Sequence, residues 1–355
     1  MKVLLVVLHA DASRGGAEGY TVTLFHRLLA EGHDARIAAA TFEAGIPRDR
    51  RVPLQFRGAT RLGRYGRFLR SLDEYVKANP DWVVHSMLPV RRCDIYQPQA
   101  GLEIVEWRRA SMPQRLTNGR RRAFVAVEKK LLLGDRPPIT VCLSEQTRKE
   151  AVHIFGRPEH FVTVYHAVDE AKFPPEPPRP PHSPPACVFV GQDFLRKGLS
   201  VAIRAIAFHP TLSLHVIGKD DPHRYKQLAA RLKLGERVRF FGATRDVAAR
   251  LRDADVMVFP TRREPFGMVG VEAMLCGVPV VVSANAGFAE IVRDGIDGRV
   301  VNGEAPGDWA AAIDDVLNRR EQMSAACLAR RDELSYSHHL RTLLSLYERI
   351  RAQRP

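Results

Sequence analysis

Short runs of consecutive apolar residues alternate with longer stretches of helical period throughout this chain. Val3 to Leu8 reads as a strand, the stretch from about Ala17 to Ala30 as a helix, and Ala35 to Ala40 as the next strand. Asp81-Trp82-Val83-Val84-His85, Ile139-Thr140-Val141-Cys142-Leu143 and Phe161-Val162-Thr163-Val164-Tyr165 continue the series. Strands that are apolar on both faces and alternate with helices belong to a parallel sheet covered on both sides. The first half of the chain therefore predicts a doubly wound α/β domain.

The pattern then stops and restarts. Eight prolines fall between Phe173 and Pro185, a density that excludes helix and sheet and predicts a stiff, extended spacer. Beyond it, Ala186 to Gly191, Leu212 to Ile217, Val238 to Phe241, Val256 to Phe259 and Val278 to Val282 read as strands, each followed by a helical stretch. The last segment, from about Ser337 to Arg351, carries Leu340, Leu343, Leu344, Leu346 and Tyr347 at helical spacing. The predicted organisation is an α/β domain over residues 1–170, a proline-rich linker over 171–185, a second α/β domain over 186–336 and a terminal helix over 337–355. A chain of 355 residues suits two domains better than one core.

The candidate chemistry lies in loops that follow strands. Glu264-Pro265-Phe266-Gly267-Met268-Val269-Gly270-Val271-Glu272 joins a strand to a helix ended by Gly277. In an open α/β sheet such a loop lies at the carboxyl ends of the strands, where ligands bind. The unpaired N–H groups of the helix start favour a phosphate, and the carboxylates of Glu264 and Glu272 accept strong hydrogen bonds from hydroxyls. A nucleotide sugar, with hydroxyls on both sides of a phosphate, suits this pattern. In the loop Gly191-Gln192-Asp193-Phe194-Leu195-Arg196-Lys197-Gly198, Arg196 and Lys197 are adjacent cations beside a helix start. One offers a bidentate fork and the other a point charge to a departing diphosphate. Gly15 and Gly16 open the first helix, permit close backbone approach and offer N–H groups to phosphate. Their spacing with Gly19 does not satisfy the dinucleotide-binding fingerprint. His85, at a strand end, is either a partner for a sugar hydroxyl or a satisfied structural histidine. Asp94 is a further polar candidate for an acceptor or donor contact. Asp253-Ala254-Asp255 has the Asp-x-Asp form of some metal sites but precedes a strand instead of following one. It reads as a helix end and strand entry, so neither a metal nor a cofactor is expected.

The Glu264 to Glu272 stretch resembles the Glu-x7-Glu signature of the retaining glycosyltransferases of family 4, which have the two-domain GT-B fold. The likeness extends through Pro260, Gly277-Val278-Pro279-Val280-Val281 and Gly287-Phe288-Ala289-Glu290, in the family's order. The adjacent Arg196-Lys197, with Val216-Ile217-Gly218-Lys219-Asp220 and Cys93-Asp94-Ile95-Tyr96, is similar to the branch containing lipopolysaccharide core glucosyltransferase I. The resemblance implies two doubly wound, Rossmann-like domains facing across a cleft, with the terminal helix crossing back onto the first. It implies that Glu272 holds the ribose hydroxyls and Glu264 those of the transferred sugar. Phe266, Gly267, Met268 and Val269 would line the donor, with the N–H groups of the last three near sugar and phosphate, and Gly15 and Gly16 would lie across the cleft from the diphosphate. The implied reaction moves a hexose, with glucose from UDP-glucose as the first guess, to a glycan or glycolipid such as a lipopolysaccharide core, with retention and without metal. Family members often carry His-x-His near His85, and here the second position is Met87.

Charge and composition add a partner to this picture. The net charge is +14, and between Trp107 and Leu133 Arg108, Arg109, Arg115, Arg120, Arg121, Arg122, Lys129 and Lys130 face a single acidic residue, Glu128. Arg61, Arg64, Arg67 and Arg70 recur every third residue on another predicted helix. Such a surface attracts anionic lipid headgroups or nucleic acid. Trp107, Phe124 and Leu131-Leu132-Leu133 beside these charges read as a membrane-interface face, which points to a protein peripheral on the cytoplasmic face of the inner membrane. Five scattered cysteines, a first strand in place of a signal peptide, and the lack of a run of ~20 apolar residues agree with a cytoplasmic chain. The alternatives are a nucleotide-sugar epimerase of the same fold, an inactive sugar-binding scaffold, and a basic nucleic-acid-binding module. The last lacks a recognised RNA or DNA motif, so nucleic acid is not an expected partner.

Overall fold

The apolar runs become parallel strands. A computed structural model of the protein describes residues 1–353 except 113, 114, 116, 117 and 245. The chain divides into two compact units, one made of Met1–Val164 with Leu340–Pro355 and the other of Tyr165–His339. In the first, seven parallel strands lie in the order Arg51–Pro53, Asp34–Ala39, Lys2–Val6, Val83–Ser86, Ile95–Tyr96, Ile139–Cys142 and Phe161–Thr163. Lys2–Val6 is flanked on both sides, Leu4 lying opposite Arg36 and Val84, and there the strand order reverses.

Two helices cover this sheet with a shared apolar seam. Helix Arg61–Ala78 starts at Thr60, whose hydroxyl accepts the Gly63 N–H, and buries Tyr65, Phe68, Leu69 and Leu72 at one-face spacing. Helix Gly119–Leu133 starts at Asn118, which accepts the Arg121 N–H, and buries Phe124, Val125, Leu131 and Leu132 in the same core. This corrects the expectation of a membrane-interface face. Phe124, Leu131 and Leu132 are core residues, Trp107 packs against that core, and of the apolar residues named for the interface only Leu133 is exposed. Burying this apolar seam leaves the interleaved Arg120 and Arg122 outside. Among the described residues no helix is long and apolar enough to cross a membrane.

The second unit repeats the plan with six parallel strands, in the order Val238–Gly242, Ser213–Ile217, Ala186–Val190, Val256–Phe259, Val280–Ser283 and Gly298–Val301. The order reverses between the neighbouring strands Ala186–Val190 and Val256–Phe259. Reversal separates the two following loops and opens a crevice at the carboxyl ends of these strands. Helix Leu199–Ile206 buries Leu199, Val201, Ala202, Ile203, Ala205 and Ile206, and helix Pro306–Asn318 adds Trp309 and Ile313 to the same core.

The proline-rich segment has no helix or strand between residues 174 and 185, but it is not a free spacer. It straps the second unit through Asp255, which is fully buried and accepts from Arg179 Nη1 at 2.7 Å and from the N–H groups of His182 and Ala186, each at 2.9 Å. Glu176 also donates its N–H to the Cys276 carbonyl at 3.1 Å. A buried carboxylate requires donors, and this segment supplies them. The chain passes between units at Val164-Tyr165 instead, and returns at His339-Leu340 within helix Tyr336–Ala352. His339 Nδ1 meets the Tyr165 carbonyl at 2.8 Å, which ties the two passages together. Asp255 also ends the Asp-x-Asp run, so that run is a helix end at Asp253 followed by the entry to Val256–Phe259.

Replacing Asp255 strands two N–H groups and a guanidinium. Asp255→Ala is expected to destabilise the second unit by about 3 kcal/mol or more, read by urea unfolding with tryptophan fluorescence. A loss below about 1 kcal/mol, the range of an exposed pair, would contradict the strap.

Candidate active site

Two loops meet at the carboxyl ends of Ala186–Val190 and Val256–Phe259, and glycine lets them meet. At Gly198, where φ is 74°, an added Cβ would lie 1.9 Å from the Pro260 carbonyl oxygen. The chain at Arg196-Lys197-Gly198 is thereby laid directly on the end of the neighbouring strand. The Arg196 carbonyl accepts the Arg262 N–H at 2.9 Å, and Asp193, in the left-handed region at φ 60°, accepts the Arg196 N–H at 3.1 Å. Asp220, from the loop after Ser213–Ile217, accepts the Phe194 N–H at 2.7 Å and braces the other side.

The second loop is held as firmly. Glu264 donates its N–H to the Asn285 carbonyl at 3.1 Å and accepts from Gly287 at 2.9 Å, and the Phe266 carbonyl accepts from Phe288 at 2.8 Å. A Cβ at Gly270 would lie 2.2 Å from the Phe288 ring, so the Gly287-Phe288 segment sits against the helix start. Gly267, at φ 103°, turns the chain into helix Met268–Leu275. The N–H groups of Met268 and Val269, in its first turn, have no intrahelical acceptor.

These loops bring four charges together, those of Asp193, Arg196, Lys197 and Glu264. Arg196 Nη1 donates to Glu264 Oε2 at 2.9 Å, and Lys197 Nζ donates to the same oxygen. The Lys197 ammonium also stands 4.5 Å from the centre of the Phe259 ring. Glu264 is 17% exposed and Lys197 11%, so water screens this pair weakly, whereas Arg196 is 43% exposed. Burial alone would raise the Glu264 carboxyl, but the charge and hydrogen bond of Lys197, then Arg196, hold it below the usual carboxylate range. Burial lowers the Lys197 ammonium, with Glu264 opposing. Asp193 Oδ2 also pairs with Arg196 Nε at 3.2 Å, so two carboxylates balance the two cations until an incoming anion takes the place of one of them.

Glu272 lies one turn into the helix, half-buried, and no charge or hydrogen bond of a described residue offsets the burial of its carboxylate. Burial pushes it up to about 7. Here, then, are two cations held by carboxylates, a helix start whose first N–H groups lack intrahelical acceptors, and a carboxylate without a protein donor.

Other expected site residues fare differently. The Phe266 ring is 2% exposed, stacks on Tyr165 at 6.2 Å and lies 5.9 Å from His166. That side chain anchors the loop and does not line a donor surface. His85 is fully buried, its Nδ1 2.7 Å from the Tyr347 hydroxyl of the terminal helix, which favours its structural reading. Asp94 accepts the Val84 N–H at 2.7 Å and so ties its own loop to the strand carrying His85. Gly15 and Gly16 begin helix Gly16–Ala30, which has no side-chain cap, so its N–H groups stay open. The sequence reading gave no role to Asp193, Asp220 or Asn285. Asp193, three residues before Arg196, was the one signal available for an Arg-orienting acid.

Comparison with known proteins agrees with this geometry. Residues 14–172 match the family described as Glycosyltransferase Family 4, and residues 172–329 match Glycosyl transferases group 1. The chain belongs to these glycosyltransferase families, with the GT-B fold. Among curated relatives, the D-inositol 3-phosphate glycosyltransferase of Geodermatophilus obscurus is 37% identical over 161 residues, 42% of this chain and 36% of that protein. The protein of the same name from Mycolicibacterium vanbaalenii is 35% identical over 179 residues, 45% of this chain and 40% of its own length. The chain thus spans well under half the length of these relatives. Solved structures share the fold of this glycosyltransferase over nearly its whole length. WaaG, a glycosyltransferase involved in lipopolysaccharide biosynthesis, aligns with a TM-score of 0.77 at 20% identity over 96% of this chain and 98% of its own. Anabaena HepE in complex with UDP-glucose aligns with a TM-score of 0.73 at 17% identity, covering 98% of this chain and 99% of that one.

The raised carboxyl of Glu272 sets a pH dependence of stability in this chain. Its folded-state value of about 7 exceeds the ordinary glutamate value of 4.5, so the folded state binds the extra proton between those limits. Stability is therefore lost as pH rises through that window. Without ligand, Glu272→Gln is expected to melt above the parent protein at pH 8, by on the order of 2 kcal/mol, with the advantage fading towards pH 5. A difference that does not change with pH in thermal melts would contradict this assignment.

Proposed function

We propose that this protein transfers a hexose, with retention of configuration and without a metal ion, from a nucleotide sugar to a hydroxyl of a glycan or glycolipid. The observation that carries the reading is the sharing of Glu264 by Arg196 and Lys197 beside the Met268–Leu275 helix start. The diphosphate of the donor takes over the two cations and the open N–H groups, and Glu264 is released to accept hydroxyls of the sugar. Glu272 accepts the ribose hydroxyls. The bond from the anomeric carbon to the diphosphate oxygen breaks, its electron pair leaves with the diphosphate, and Arg196 and Lys197 stabilise that charge. The acceptor oxygen bonds to the anomeric carbon from the same face, and its proton passes to the departing phosphate oxygen.

UDP-glucose is the donor of first choice, a choice supported by the UDP-glucose complex of the HepE structure, which has the same fold. For the acceptor, a lipopolysaccharide core follows from the sequence resemblance and from the role of WaaG, while a polyol phosphate follows from the name of the curated relatives. Attachment to an anionic membrane from the cytoplasmic side fits the exposed arginines, though not the apolar residues first assigned to it. An epimerase of the same fold would release no nucleoside diphosphate, so production of free UDP with each acceptor separates the two activities.

Glu264→Ala and Arg196→Ala are each expected to lower turnover about 100-fold or more, with the fold retained by circular dichroism at the assay temperature. Near-normal turnover in either would sink the proposed roles. Transfer is also expected to persist in EDTA, and loss on chelation with recovery in magnesium or manganese would overturn the metal-free mechanism.

A further inference from the structure

The first unit carries an open concavity of about 1010 Å³ between the starts of helices Arg61–Ala78 and Gly119–Leu133, lined by Arg61, Leu62, Asn118, Gly119, Arg120 and Arg122. Both helices run antiparallel to the strands they connect, so their starts lie at the carboxyl edge of the sheet, where α/β units bind ligands. Some guanidinium groups of this unit are neutralised, Arg50 by Asp34, Arg91 by Asp73, Arg109 by Glu150 and Arg121 by Glu103, whereas others, such as Arg70 and Arg92, make no ion pair among the described residues. Among the described residues Arg61, Arg120 and Arg122 make no ion pair, and Arg120 is held by its Phe124 ring, 5.1 Å away. Three exposed guanidinium groups around one hollow, with no carboxylate in its lining, repel one another unless an anion enters.

We infer that this hollow binds a phosphate ester, the anionic part of the acceptor. The inference rests on the glycosyltransferase reading and names a chemical class for its second substrate. Guanidinium forks match phosphate oxygens two at a time, and Leu62 offers an apolar wall beside them. The phosphate belongs either to a soluble sugar or polyol phosphate or to a lipid headgroup.

The test compares the full chain with the triple variant Arg61→Gln, Arg120→Gln, Arg122→Gln. Calorimetry with myo-inositol 1-phosphate is the soluble arm, and sedimentation with phosphatidylcholine vesicles, with and without phosphatidylglycerol, is the lipid arm. Binding weakened about tenfold or more by the substitutions is expected in one arm, and that arm identifies the source of the phosphate. UDP binding and the melting temperature serve as controls and are expected to stay unchanged. Equal binding by both proteins in both arms, or displacement of the soluble ester by UDP, would overturn the inference. Failure of UDP to bind the parent chain would instead count against the donor site, which separates the two readings.

Discussion

Everything proposed for this chain depends on one carboxylate oxygen shared by two cations. Glu264 Oε2 holds Arg196 and Lys197 at the join of two loops that are far apart in sequence. Asp193 pairs with Arg196 as well, so the cluster is balanced, and an incoming anion must take the place of Glu264 at the two cations. Glu272, a few residues on, is half-buried, and burial raises its carboxyl to about 7 with no protein donor to offset it. A ligand with an anionic centre and flanking hydroxyls replaces Glu264 at the cations and supplies hydroxyl donors to Glu264 and Glu272 together. The site is thus defined less by what it contacts than by what each member lacks.

Backbone geometry makes the arrangement possible. A side chain at Gly198 would collide with Pro260, and one at Gly218 would lie 2.0 Å from the Gly191 carbonyl oxygen. Removing those side chains lets three strand ends pack their loops side by side. Gly267 then reverses the chain so that the helix start, and not its flank, faces the loop of Arg196. The aromatic cluster of Tyr165, His166, Phe266 and Phe288 fixes the far side of the turn. Donor loop and chain crossover therefore share packing within one unit.

What the sequence made legible follows from periodicity and local spacing. Buried parallel strands are runs of apolar residues, so Val256–Phe259 and Val280–Ser283 were plain, while two-residue strands such as Ile95–Tyr96 carry too little pattern. Glu264, Arg196 and Lys197 could be named because each follows a strand, although their meeting at one oxygen is a tertiary fact. Phe266 was misjudged because a motif position does not reveal whether ring or backbone faces the ligand. The proline segment was read as a spacer because composition excludes helix and sheet but does not exclude docking, and Asp255 supplies the dock. The arginine-rich helix misled in the opposite way: its apolar residues match a membrane face and a core face equally well, and only the packing of Tyr65 on Phe124, with ring centres 4.6 Å apart, decides between them.

Topology explains why both units collect positive charge where they do. In a parallel sheet a helix that joins two strands must run back against them, so the starts of such helices lie at the carboxyl edge of their own sheet. Helix starts carry partial positive charge and unsatisfied N–H groups. Arginine or lysine at such a start, as at Arg61, Arg120 and Lys197, adds a full charge where the dipole already disfavours one. That combination costs stability in an empty protein, and an incoming anion recovers it. The same rule of winding thus suits one unit to a diphosphate and the other to a phosphate ester, with specificity left to the side chains around them.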